Sequence, residues 1–104
     1  MKNNNTEKLT TPSNFKLFSA YPNPFNPVTT LKYNLPNDDL VNITIYDMIG
    51  NVVNQLVNEV QNSGHKSVQW NATNNQGEQV SAGVYLYNIK AGDFVDTKKM
   101  ILLK

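Results

Sequence analysis

The stretch Tyr21-Pro22-Asn23-Pro24-Phe25-Asn26-Pro27 sets three prolines in six positions, and no other feature of the chain limits its backbone as strongly. Each proline fixes φ at about −65° and has no N–H to donate. Each also disfavours the helical region at the residue before it, here Tyr21, Asn23 and Asn26. The segment is therefore neither helix nor inner strand. It predicts a stiff, polyproline-like lead-in whose aromatics, Tyr21 and Phe25, pack on the body of the fold and make the segment a clasp between a linker and a domain.

Ahead of it, residues 1–14 are rich in Asn, Thr and Lys and carry almost no apolar side chains, so they cannot offset the entropy cost of ordering and read as a flexible linker. Residues 15–104 are enough for one domain that removes roughly 65% of its unfolded surface from water without a metal or disulfide staple. The nine basic residues are all lysine, against eight carboxylates, so the arginine forks used to recognise phosphate and guanine are missing and nucleic acid is not an expected partner. Cysteine is absent, which removes a thiolate nucleophile or metal ligand and leaves the redox compartment unmarked. The apolar runs Val41–Ile49 and Met100–Leu103 are too short to span a bilayer, and Met1–Thr11 has no apolar stretch of the signal-peptide kind. No membrane insertion is expected, and an export signal, if there is one, lies outside this sequence.

From Phe15 onward the chain alternates short β-type runs with Gly, Pro and Asn/Asp clusters. Strands are expected at Phe15–Ala20, Val28–Leu35, Val41–Ile45, Val52–Val57, Lys66–Trp70, Val84–Lys90 and Phe94–Leu103. Val41, Ile43 and Ile45 alternate with Asn42 and Thr44, which puts the first set in the core and the second toward water or a sheet neighbour. Asp47-Met48-Ile49-Gly50-Asn51 reads as a hairpin connection with Gly50 at positive φ, so the strands on either side are antiparallel neighbours. Asn71–Gly77 is a long loop in which Asn side chains cap local backbone groups and Gly77 turns left-handed. About seven strands at this spacing give an all-β, antiparallel two-sheet sandwich. Trp70, Ile43, Ile45 and Val52 are expected to build only its core.

Catalytic chemistry has little to work with. His65 is the one histidine, and it and Ser63, two residues before it, are both expected to be solvated at a turn, without a third group to orient a nucleophile–base pair. Asn71 and Asn74 offer alternate oxygens of the kind calcium loops use, but Glu78 is the only carboxylate near them, so Asx turns are the favoured reading and no metal is expected. Tyr85 and Tyr87 share a strand face and with Trp70 form either a flat sugar-binding platform or inter-sheet packing, the latter favoured. Lys98, Lys99 and Lys104 flank Met100–Leu103, as lysines do on a guarded edge strand or on a recognition tail. No cofactor and no enzyme activity are expected.

The proline segment, followed by Thr29-Thr30-Leu31 and Tyr33-Asn34-Leu35-Pro36, resembles the start of the type A C-terminal sorting domain of type IX secretion cargo. Val41–Val53 resembles that family's strand–turn–strand centre, and Gly83-Val84-Tyr85 with Lys98-Lys99-Met100-Ile101-Leu102-Leu103-Lys104 resembles its terminal signal. Trp70-Asn71, Asn74, Gly77, Val80, Gly83 and Tyr85 are also spaced as in the immunoglobulin-like domain of flagellar hook-capping proteins, where the loop usually carries aspartates. The chain stopping one residue after Leu103 fits a sorting domain better.

The resemblance implies an immunoglobulin-like sandwich carried at the end of a larger exported protein. It implies a folded passage through the periplasm, engagement of the outer-membrane translocon, and removal by a sortase-like protease that cuts within Met1–Ser13 or close to it. Secretion of the cargo or its anchoring at the cell surface completes the route. Gly83, Tyr85 and the Lys98–Lys104 tail are the expected recognition residues, on an exposed edge or tail for which strand addition is one way of being read. Tyr21–Pro27, Asp47, Gly50, Trp70 and Gly77 are the expected structural motif. The alternatives are an adhesive or carbohydrate-binding sandwich of a secreted protein and a spacer of flagellar type.

Overall fold

A computed structural model describes residues 11–103. Seven strands succeed one another: β1 (Lys16–Leu17), β2 (Thr29–Leu35), β3 (Asp39–Tyr46), β4 (Val52–Gln61), β5 (Gly64–Trp70), β6 (Gly83–Ala91) and β7 (Phe94–Leu102). They form a three-stranded sheet, β1-β2-β5, and a four-stranded sheet, β4-β3-β6-β7, and every named pairing is antiparallel. This is the all-β two-sheet sandwich that the pattern of short strands and turns implied, and the immunoglobulin-like one that the resemblance implied.

The alternation of each strand decides which side chains meet between the sheets. Leu31, Tyr33, Leu35 and Trp70 come from one sheet, and Val41, Ile43, Ile45, Tyr87, Ile89, Met100 and Leu102 from the other, all essentially excluded from water. Burying each such side chain contributes about 1.5–3 kcal/mol. The opposite face of the three-stranded sheet is polar, with Thr30 opposite Gln69, Lys32 opposite Ser67, and Asn34 opposite His65. Buried hydroxyls tie one layer to the other. Tyr33 Oη donates to Gln61 Oε1 (2.6 Å), and Tyr87 Oη donates to Phe18 O (2.9 Å) while accepting from Ala20 N (2.8 Å).

Several expectations shift. The first strand holds two residues rather than six, because after Leu17 the chain leaves β2 except for single contacts, Phe18 N to Lys32 O and the Tyr21 bridge to Thr30. β4 continues past Val57 to Gln61, since β3 begins as early as Asp39 and offers partners that far. Two register shifts in the β3–β4 ladder, at Ile43/Thr44 and Ile45/Tyr46, place extra residues in β4. Such bulges break simple alternation. As a result Val52 is not a core residue: it lies 56% exposed opposite Tyr46, and Val53 packs against the core instead. Thr44 lies on the outer face as expected but is covered, and its hydroxyl is satisfied by Asn42 Oδ1 (2.8 Å).

Candidate functional site

The proline segment bends between two single bridges rather than running as an extended rod. At Tyr21 it pairs with Thr30 of the three-stranded sheet through reciprocal N–H···O contacts of 3.1 and 3.0 Å. At Phe25 it reaches the other sheet and runs parallel to the end of β7, with Phe25 N donating to Ile101 O (2.9 Å) and Leu103 N donating to Phe25 O (2.8 Å). The clasp thus joins both sheets. Its anchoring differs from expectation, since Phe25 is buried against Trp70 at 5.7 Å between ring centroids while Tyr21 points outward, 80% exposed. Tyr21 is held by its main chain, and its ring has no place between the sheets.

Asn23 has a role that the sequence pattern does not assign to it. Pro22 and Pro24 on either side have no N–H, so its carboxamide supplies what a strand's main chain would. Oδ1 accepts from Ile101 N (2.9 Å) and Nδ2 donates to Lys99 O (3.4 Å). A carboxamide between two prolines is the sequence signal for this role, because it is the nearest donor–acceptor pair available.

The tail occupies β7, an edge strand paired along its length with β6, and its alternation divides the expected recognition residues in two. Met100 and Leu102 face inward and are fully buried. Lys99, Ile101 and Leu103 face outward, Ile101 at 41% and Leu103 at 50% exposure, and Lys98 is half-buried. Lys104 lies outside the described residues. Gly83 opens β6 opposite Leu102 with φ +153°, and a Cβ there would meet nothing within 4 Å, so the backbone conformation is what favours glycine. Tyr85 is a core residue: it sits edge-on to Trp70 at 5.2 Å and its hydroxyl donates to Ser81 O. Trp70, Tyr85 and Tyr87 are all buried, so the flat sugar-binding platform does not exist on the surface.

The motif residues serve turns. Asp47 Oδ1 accepts from Ile49 N (3.0 Å) and Asn51 N (2.9 Å), and its other oxygen accepts from Asn51 Nδ2 (3.2 Å). These donors, Asn51 N first among them, hold its carboxyl below the usual carboxylate range. Gly50 comes next in the turn at φ +95°, as the hairpin requires. In the 71–79 loop Asn74 Oδ1 accepts from Gln76 N and Glu78 N, Trp70 Nε1 donates to Thr73 O (2.8 Å), and Asn75 Oδ1 caps Gln55 N of β4. The loop oxygens are engaged in Asx turns, and among the described residues no three His, Asp or Glu side chains converge in a metal-binding cluster. His65 is not at a turn: it is an exposed β5 residue whose Nδ1 meets Asn34 Oδ1 at 2.8 Å, while Ser63 engages Asp38 through its main chain.

The chain matches the model of the secretion system C-terminal sorting domain over residues 19–103, which takes in the proline clasp and the described part of the tail. It belongs to the type IX C-terminal sorting domain family. Sorting domains of this family are generally non-catalytic, imply interaction with the type IX secretion machinery, and accompany proteins exported to the cell surface or secreted. No curated protein matches the sequence. Among solved structures the chain is similar to dimeric latent PorU from Porphyromonas gingivalis, with a TM-score of 0.69, 23% identity, and coverage of 84% of this chain and 9% of PorU. PorZ from the same organism, described as an essential surface component of the type IX secretion system, gives 0.60 at 21% identity, covering 85% of this chain and 11% of PorZ. FlgD from P. aeruginosa gives 0.57 at 22% identity over 73% of this chain and 64% of FlgD. These likenesses share the fold, and this sorting domain spans about a tenth of the length of PorU and of PorZ.

Proposed function

We propose that the chain is a non-catalytic sorting domain that delivers an attached cargo protein to the type IX translocon for export across the outer membrane. The observation that carries this reading is the family match over 85 consecutive residues (19 to 103 inclusive), which takes in the clasp, strands β2 to β7 and the described part of the tail. Residues 1–14 serve as the linker to the cargo and 15–104 as the address. A sortase-like protease cuts in or near Met1–Ser13 after transit through the periplasm, and the cargo is then released or anchored at the surface.

The positions of the two ends favour this division of labour. Phe15, where the linker joins, stacks on Phe94 at the start of β7, with centroids 5.1 Å apart and planes 8° from parallel. The recognition tail runs to the other end of β7, where Leu102 is about 26 Å from Phe94 for eight residue steps of about 3.3 Å. A receptor holding the tail therefore leaves the linker free for a protease.

Competition tests the reading. The chain, delivered to the periplasm of a type IX-competent cell without cargo, is expected to lower secretion of that cell's own type IX cargo in proportion to its level. An unrelated β-sandwich delivered in the same way has no such effect. Unchanged secretion at a large excess of the chain would contradict the proposal.

A further inference from the structure

We infer that the sorting partner reads the tail by its outward side chains, Lys99, Ile101 and Leu103 together with Val84 and Leu86 of β6, and not by adding a strand to the β7 edge. This rests on the sorting role proposed above and specifies how that role is carried out.

Strand addition needs free N–H and C=O groups along an edge. On β7 these belong to the odd-numbered residues, because in an antiparallel pair alternate residues turn their main chain toward the neighbour and away from it. Over the tail four groups of that outward set are already engaged. Ile101 N–H goes to Asn23, Ile101 C=O receives Phe25 N–H, Leu103 N–H goes to Phe25 C=O, and Lys99 C=O receives the Asn23 carboxamide. Further along, Thr97 N–H is turned to the Asp96 carboxylate at 2.8 Å. The clasp is thus a strand partner supplied in cis, locked by the buried Phe25 ring.

The side-chain face of the same residues is open. Ile101 stands opposite Val84, and Lys99 opposite Leu86, which in turn neighbours Tyr46 and, beyond it, Val52. The Lys99 row crosses all four strands and the Ile101 row β6 and β7, and together they form an apolar strip on the outer face of the sheet, with Ile101, Leu103 and Val52 each more than 40% exposed. Contiguous exposed apolar surface of this kind marks a protein contact. Lys99 lies at the rim of the strip, and no carboxylate stands in either row. The nearest carboxylate in the Tyr46 hairpin, Asp47, has both oxygens turned into its own loop. The partner surface that fits is therefore apolar, with a carboxylate placed to meet Lys99.

The test uses the full chain fused behind a reporter in a type IX-competent host. Lys99→Glu, Ile101→Asn and Ile101→Thr change exposed positions, so the purified chains should melt close to the wild type. The Lys99→Glu/Ile101→Asn pair is expected to lower the secreted fraction by about tenfold, as reversal of a rim charge joined to loss of an apolar contact does. Val95→Pro removes an outward N–H from the uncovered part of the edge and leaves the strip intact, and its secretion is expected to be unchanged. Wild-type secretion of the folded pair would overturn the inference, as would loss of secretion by a folded Val95→Pro chain. Failure of the unmodified fusion to be secreted would count instead against the sorting role.

Discussion

Tyr87 carries a hydroxyl into an otherwise apolar interior, and the structure uses it twice, as donor to Phe18 O and acceptor from Ala20 N. Tyr87→Phe keeps the ring but leaves a buried donor and acceptor without partners. The expected loss is about 1–3 kcal/mol, seen as a lower urea midpoint at unchanged m. Burial pushes the Tyr87 phenol above its ordinary value, with the Asp96 charge adding to this and the Ala20 hydrogen bond opposing it. Burial likewise raises Tyr33. A group raised in the folded state favours folding fully below its unfolded pKa, about 10 for tyrosine, and loses that contribution as pH rises through the folded value. Stability should therefore fall on the alkaline side of about pH 10, and less steeply in Tyr87→Phe. Equal alkaline slopes in the two proteins would contradict the assignment.

At the level of elements, the clasp and the tail form one unit, held by Phe25 in the core and Asn23 on the edge. Asn23→Ala removes the acceptor of Ile101 N–H but spares the β6–β7 ladder. Exchange of the Ile101 amide should quicken by roughly two- to tenfold, the equivalent of one hydrogen bond worth about 0.5–1.5 kcal/mol, while Met100 stays protected. Equal quickening at both would mean the whole strand loosens. The strands that sequence pattern makes most legible, β2 and β6, alternate cleanly and sit opposite regular partners, while β3 keeps its alternation apart from the covered Thr44 although its β4 partner is bulged. Val52 departs from its expected place because bulges shift β4 by whole residues, and no property of Val52 itself announces them. Tyr21 departs because its main chain, not its ring, makes the attachment, and main-chain pairing has no signature in side-chain chemistry. Asn23 is legible only through the prolines that strip the neighbouring backbone of donors.

For the whole molecule, the candidate site is harder to read from sequence than the fold. The motif Gly83, Tyr85 and Lys98–Lys104 marks the family, yet Tyr85, Met100 and Leu102 lie in the core. Residues that identify a domain and residues that meet its partner are under different physical demands, and a motif mixes the two. Deleting the end of the chain would confuse them, since loss of Met100 and Leu102 empties the core. Each such truncation costs about 2–5 kcal/mol, a large part of a small domain's stability. The central claim, that the folded domain is a type IX address, is best tested with the chain intact. The most direct measurement is the extracellular fraction of a reporter fused ahead of residue 1, in a type IX-competent host and in the same host with its translocon disabled. The reporter is expected outside in the first and inside in the second, and equal fractions in both would contradict the claim.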